Sequence, residues 1–355
     1  MVIISIPVFL LEKEQPLKIK ENKQITKTFF HILFKFIIIF ANIKLKLMTK
    51  KNILSIFLIL VFWQFTVFFK TKPILYPPIF CPQDTPTPTP TPLPIVNFTL
   101  LGDLGLGRHI TSISRSKNNF NWPFEKVSDF LQQYDFNLAN LESPIISNCP
   151  EGKTGTFTFC GDDKFLPYLQ ENKFIFNLNN NHILNYGKDG LNQTQTYLTN
   201  YQIPHFYDDF LIQEINGIKF GFLGFDFITY PKTDPNLVLQ KIELYDSQVD
   251  YLIISIHWGN EYLPSPEKWR LELAHQMIDT GADIIHGHHP HVLQSTEYYK
   301  EKPIYYSLGN FIFDQNWSTE TSIGEIIVIT LNKDEIISES RHPYTIKFNS
   351  QPQLD

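Results

Sequence analysis

The chain has 355 residues, is 43% hydrophobic and carries a formal charge of −6. That is enough apolar material for one large buried core, and it leaves no overall basic field. No basic stripe interleaved with aromatics is present, which argues against nucleic-acid binding. Aromatics make up 15% of the chain, and a Phe-rich core accounts for them without a polymer-facing surface.

Ile53 to Phe69 is apolar except for Ser55, Gln64 and Thr66, with Lys50 and Lys51 before it and Lys70 and Lys72 after it. Such a run just reaches the length that spans a bilayer. Phe68-Phe69-Lys70-Thr71 offers no small residues for cleavage. The segment 48–72 therefore reads as an uncleaved transmembrane anchor whose start faces the cytoplasm. A buried core helix is the alternative, and no polar face supports it. Met48-Thr49-Lys50-Lys51 makes a natural start, so 1–47 reads as an over-extended N-terminus. If translated, 32–43 is a second, poorer membrane-associated segment. The stretch 73–94 is a linker that ends in a Thr-Pro repeat from Thr85 to Pro94. Alternate prolines exclude helix and central strand and favour extended polyproline chain, which acts as a spacer. This order places the rest of the chain outside the cytoplasm. Cys81 lacks the small preceding residue of a lipoprotein signal.

The globular part is expected over 95–335, with 336–355 as a C-terminal tail. Ile95 to Leu101 reads as a buried strand ending at Gly102-Asp103. A carboxylate there stands where open α/β sheets place site residues, and a helix N-cap is the competing reading. The Gly-rich turn running to Arg108 lacks the Lys-Ser or Lys-Thr of a phosphate loop. A helix around Phe124 to Gln133 leads to a strand from Asp135 to Leu141, which Glu142-Ser143-Pro144 brings to a stop. Cys149 and Cys160 enclose a Gly- and Thr-rich loop. In an exported domain the pair reads as a disulfide, with two free thiols as the alternative.

Helical Lys164 to Glu171 precedes a strand from Phe174 to Leu178 that runs into Asn179, Asn180, Asn181 and His182. Stacked amides and a histidine after an apolar strand have little structural reason to exist, and the histidine is placed to hand a proton to a leaving group. After a helix from Leu191 to Tyr201, Ile215 to Leu223 reads as a hairpin turning at Asn216-Gly217. His205 reads as structural. Asp250 to Ile256 is another strand, delivering His257. Pro266 to Asp279 is an amphipathic helix with Trp269, Leu273 and Met277 on one stripe, stopped by Gly281; His275 within it also reads as structural. Ile284-Ile285 then opens onto His286, His288, His289 and His291, with Pro290 stiffening the last pair. Imidazoles bind Zn, Mn, Fe and Ni well at neutral pH. Lys302 to Leu308 and Ile323 to Leu331 complete the strands.

Separate strands thus deliver Asp103, Glu142, Asn181 with His182, His257, and His289 with His291 to their downstream ends. Together these form the mixed oxygen and nitrogen donor set of a dinuclear metal centre. The run of motifs from Gly102-Asp103 and Arg108 through Asn140-Leu141-Glu142, Asn180-Asn181-His182, Tyr186-Gly187, His257-Trp258-Gly259, Glu261-Tyr262 and Gly281-Ala282-Asp283 to His289-Pro290-His291 and Ser307 to Phe311 resembles the CapA family of capsule and poly-γ-glutamate synthesis proteins. That family is similar in fold to calcineurin-like metallophosphatases. The resemblance implies an α/β fold built as a four-layer α/β/β/α sandwich. It also implies two divalent ions (Mn, Zn or Fe) on Asp103, Glu142, Asn181, His257, His289 and His291, with His182 meeting the substrate. Arg108, Asn180, Glu261 and Asn310 would contact substrate, and Tyr306 would line the pocket. The implied partners are an anionic polymer such as poly-γ-glutamate or a phosphorylated envelope substrate, the membrane, and other capsule-synthesis membrane proteins. The chain departs from the pattern twice. The usual acid after Asn-Asn-His is Asn185, and Leu104-Gly105 replaces the x-His that follows the first aspartate in metallophosphatases, which implies weak binding of one ion. A non-enzymatic polymer-binding scaffold with a degenerate metal site is the alternative function.

Overall fold

The computed structural model describes residues 93–151, 157–230, 232–348 and 350–355. The chain divides into two units, Met1–Pro88 and Thr89–Asp355, and the described residues belong to the second. The expected N-terminal extension, the anchor and nearly all of the linker lie outside the described residues. Among the described residues no helix is long and apolar enough to cross a membrane.

Two sheets organise the second unit. The first is built on β1 (Val96–Leu104), β2 (Phe136–Leu141), β5 (Phe174–Asn177) and β6 (His205–Phe206) as parallel neighbours in that order. Between β2 and β5 in the chain, β3 (Ile145–Ile146) and β4 (Gly161–Asp162) pair with each other as a separate short ribbon. The second sheet runs β8 (Ile218–Asp226), β9 (Tyr251–His257), β10 (Ile284–His288) and β12 (Lys302–Tyr305), again parallel. Parallel strands covered on both faces read as continuous apolar runs, which is why these were visible in the sequence. β7 (Leu211–Ile215) joins β8 through Asn216 and Gly217, whose φ values of 50° and 79° are those of a tight hairpin turn. β11 (Thr296–Tyr299) closes the other edge of the second sheet.

Alternation along each strand divides its side chains between cores. Phe98, Leu100, Phe136, Leu138 and Ile175 share one core with Phe220, Phe222, Tyr251 and Ile253 of the second sheet, so the two sheets pack face to face. Leu101, Ala139, Phe174 and Phe176 point the other way. They meet Ile110 of α1 (Arg108–Lys117), Leu166 and Leu169 of α3 (Leu166–Glu171), and Leu191 and Leu198 of α4 (Gly187–Asn200). The short α2 (Ser128–Leu131) adds Leu131. On the far side Leu252, Ile254 and Ile256 face Val238 and Ile242 of α5 (Pro235–Tyr245) and Leu273 and Met277 of α6 (Lys268–Thr280). Packing thus runs helix, sheet, sheet, helix.

One strand expectation needs correction. Residues 336–355 are no tail: β15 (Ile336–Lys347) pairs antiparallel with β14 (Ile323–Leu331), and β16 (Gln351–Leu354) pairs with β15. Tyr344 and Ile346 bury themselves in the helix-side core. On its other edge β14 pairs antiparallel with β1. A short β13 (Asn310–Ile312) lies parallel to β1 beside Asp103. There the backbones approach so closely that a Cβ on Gly102 would stand 2.1 Å from the Gly309 carbonyl oxygen. Only glycine fits.

Candidate metal centre

The parallel strands of both sheets end at one rim, and the register aligns their last residues. Asp103 stands opposite Asn140 across β1 and β2, and His257 opposite His288 across β9 and β10. Asp103, Glu142, His257 and His291 are 0 to 1% exposed. The ligand atoms of Asp103, Glu142 and His257 lie within 4.8 Å of one another, as do those of Glu142, His289 and His291. Glu142 belongs to both groups. Its Oε1 lies 3.6 Å from His291 Nε2 and 3.9 Å from Nε2 of both His257 and His182. The Asn181 Oδ1 lies 2.9 Å from His257 Nε2. The six expected ligand positions therefore converge.

Around them runs a scaffold of hydrogen bonds. Asn140 Nδ2 donates to Asp103 Oδ1 at 2.9 Å and to Glu142 Oε2 at 3.3 Å, and its oxygen accepts from Asn180 Nδ2 at 3.0 Å. Asn310 Oδ1 lies 2.8 Å from His291 Nδ1, which orients that ring. The His289 amide donates to Asp103 Oδ2 at 3.2 Å. His289 and His291 flank Pro290 with φ of 94° and 57°.

Whether this donor set suits a cation is decided by its unpartnered atoms. Glu142 Oε1 and His289 Nδ1 are buried without a hydrogen-bond partner. So is His288 Nδ1: it lies 3.2 Å from Asp103 Oδ1, but too poorly aligned for a hydrogen bond. A carboxylate oxygen stripped of water and hydrogen bonds costs several kcal/mol, and a cation among these imidazoles would offset that cost. Mixed carboxylate, amide and imidazole donors suit Mn, Zn or Fe. The residues fit the group.

Protonation in the metal-free protein follows from burial. Burial pushes the Glu142 carboxyl well above the usual range, and the Asp103 charge adds to this. Burial also acts on Asp103, but His288 and His291 overcome it and hold that carboxyl well below the usual range. His291 is raised to about 9, because the charges of Glu142 and Asp103 outweigh desolvation. Burial lowers His289 to about 3 and His182 to about 4, and takes His257 well below its ordinary value.

The remaining expectations fare differently. Asn180 is 3% exposed, and its amide is fully used by Asn140, the Leu141 carbonyl and the amides of His182 and Ile183. Asn310 is buried behind His291, and its nitrogen donates to the Thr321 carbonyl at 3.1 Å. Both support ligands rather than contact substrate. Tyr306 lines no pocket, being fully buried against Trp258 with its hydroxyl donating to Glu297. Arg108 pairs with Asp314 and lies 4.4 Å over the Phe159 ring, while half-buried Glu261 acts on the charge of His291. Cys149 and Cys160 form a disulfide with Cα atoms 5.8 Å apart, away from the ligand cluster. His275 pairs with Glu297 and His205 with the Ile203 carbonyl, both outside the site. The sequence reading gave no role to Asn140 or to His288, which touches Asp103. The signal for His288 is its spacing: two residues from His286, it shares a strand face with a ring whose Nε2 lies 2.8 Å from the β1 carbonyl of Leu101.

Fold and site together define a class: an α/β protein of two stacked sheets whose strand ends assemble a buried metal-binding cluster. Residues 97–315 match the family described as bacterial capsule synthesis protein PGA_cap, and the chain belongs to that family. It is 30% identical over 251 residues to the capsule biosynthesis protein CapA of Bacillus anthracis, covering 63% of this chain and 61% of that protein, which is less than two thirds of its length. It is 27% identical over 274 residues to the PGA biosynthesis protein CapA of Bacillus subtilis strain 168, covering 71% and 72% of the two chains. A hypothetical protein from Thermus thermophilus aligns with 70% of this chain and 99% of its own at 14% identity and a TM-score of 0.47, and carries no weight beyond this.

Proposed function

We propose that the protein is a membrane-anchored component of the cell envelope, its globular unit outside the cytoplasm, acting on an anionic polymer such as poly-γ-glutamate or on a phosphorylated envelope substrate by metal-dependent hydrolysis. The carrying observation is the unpartnered Glu142 Oε1, ringed by three imidazole nitrogens at 3.6 to 3.9 Å. Asp103, Glu142, Asn181, His257, His289 and His291 would hold two divalent ions, with Glu142 common to both. When bound, such ions supply Lewis-acid polarisation of a phosphoryl or acyl oxygen and activation of water. Asn140 and Asn310 hold the carboxylates and His291 in place, and His182 faces the shared carboxylate from the substrate side. Membership of a capsule-synthesis family supports the polymer reading. Other capsule-synthesis membrane proteins are the natural partners.

The test pairs metal analysis of the purified chain with hydrolysis of a chromogenic phosphodiester, compared with His289→Ala. Bound metal, and turnover lost in the variant, are expected; turnover indifferent to the substitution sinks the mechanism. A second reading, a polymer-binding scaffold with a degenerate site, is favoured by Leu104-Gly105, which deprives one ion of an imidazole. Binding of polyglutamate without turnover would select it.

A further inference from the structure

The loop closed by the disulfide carries Phe159 to the edge of the site. Its backbone amide donates to the Asn185 side-chain oxygen at 2.7 Å. A backbone N–H can only donate, so the atom facing it is the carbonyl oxygen of Asn185 and not its nitrogen, which settles the usual ambiguity of an amide. The same Oδ1 lies 3.2 Å from His182 Nδ1. Two acceptors cannot share a hydrogen bond, so Nδ1 carries the ring proton. A neutral imidazole has only one, and Nε2 is left with its lone pair. A flipped ring would set a carbon against Oδ1 and lose the bond. Phe159 also packs on the imidazole at 4.2 Å, which holds the ring where it is.

Nε2 is the nitrogen that faces Glu142 Oε1, 3.9 Å away. We propose that Asn185 is a positioning residue that fixes His182 as the Nδ1–H tautomer, so that Nε2 enters the site as a hydrogen-bond acceptor for a group bringing its own proton: a water, a hydroxyl or an amide N–H of the substrate. This deepens the reading of the site given above and rests on it for the substrate. It also reverses the sequence expectation that His182 donates a proton. An acid at position 185 would stabilise a charged imidazolium, whereas the uncharged amide leaves burial to dominate and the ring stays neutral.

The Phe157 carbonyl also lies against the ring and is the competing acceptor. The experiment is nitrogen NMR of the full chain labelled with 15N-histidine, reading the tautomer from two-bond proton–nitrogen correlations and assigning the signal by its loss in His182→Gln. The Nδ1–H pattern is expected in the unmodified chain. It should survive Asn185→Asp, which keeps the acceptor, and be lost in Asn185→Leu. An Nε2–H pattern in the unmodified chain, or an Nδ1–H pattern that survives Asn185→Leu, overturns the proposal. Tautomer and metal content are read separately, so failure of the metal assay would leave this result standing, and the reverse holds too.

Discussion

Metal affinity should climb steeply with pH, because in the metal-free protein two of the ligands hold protons that a cation must displace. His291 is raised to about 9, and Glu142 is pushed well above the usual carboxylate range. Imidazole and carboxylate bind only in their deprotonated forms. Each displaced proton makes the association constant rise about tenfold per pH unit below the pKa concerned. For His291 alone, with its pKa of about 9, binding at neutral pH should be roughly a hundredfold weaker than the plateau. At ~1.4 kcal/mol per pH unit this is on the order of 3 kcal/mol. Glu142 adds to the slope wherever the pH lies below its own raised pKa. Competition against a fluorescent chelator gives the slope, and calorimetry in buffers of different ionisation enthalpy counts the protons independently. We expect between one and two protons released at neutral pH, with affinity levelling off above about 9. A flat profile across this range would show that His291 holds no such proton, and would refute the electrostatic account of the site.

Four further outcomes follow from the same geometry. Without metal, the lowered pKa values of His257 and His286 mean more protons on the unfolded chain in acid, so their stability contribution is complete above the ordinary histidine value of 6.5 and lost as the pH falls. His291 has the opposite sign, complete below 6.5 and lost as the pH rises through about 9; denaturant midpoints should therefore peak near 6.5, and metal should remove the alkaline decline. Asn140→Ala deletes the amide that holds Asp103 and Glu142, and should weaken metal binding about 10- to 100-fold while leaving the circular dichroism spectrum unchanged. Gly102→Ala drives a methyl into the Gly309 carbonyl at 2.1 Å and should cost about 1–3 kcal/mol or more in urea unfolding, whereas no measurable loss would mean that β13 moves aside freely. Replacing Cys149 and Cys160 together by serine should lower stability by roughly 2–3 kcal/mol in guanidinium titrations, the loop-closure entropy of a short bridge.

The strands that deliver the ligands were legible because each is buried on both faces and ends abruptly on a polar residue. β9 and β10, with their Ile runs ending at His257 and among the histidines, are the plainest cases. Residues 336–355 were not legible, since β15 has a half-exposed, polar sequence through Ser338, Glu339, Ser340 and Arg341. It is held by backbone pairing to β14, which leaves no hydrophobic trace. The ligands were visible as residue types, but the division of labour among the asparagines was not. Asn140, Asn180, Asn181, Asn185 and Asn310 look alike in sequence. Only register and approach decide that some brace ligands, one offers an oxygen beside His257, and one orients His182. Arg108 read as a substrate contact because its partner Asp314 lies 206 residues away.

The backbone at His289 and His291 has a consequence for anyone engineering the protein. Both residues sit at left-handed φ, where a side chain costs about 1–3 kcal/mol that glycine would not. A screen for heat tolerance run in the presence of a chelator would therefore favour glycine at these two places and return a sturdier protein with no cation-holding centre. Only a screen that rewards the loaded form would keep the imidazoles.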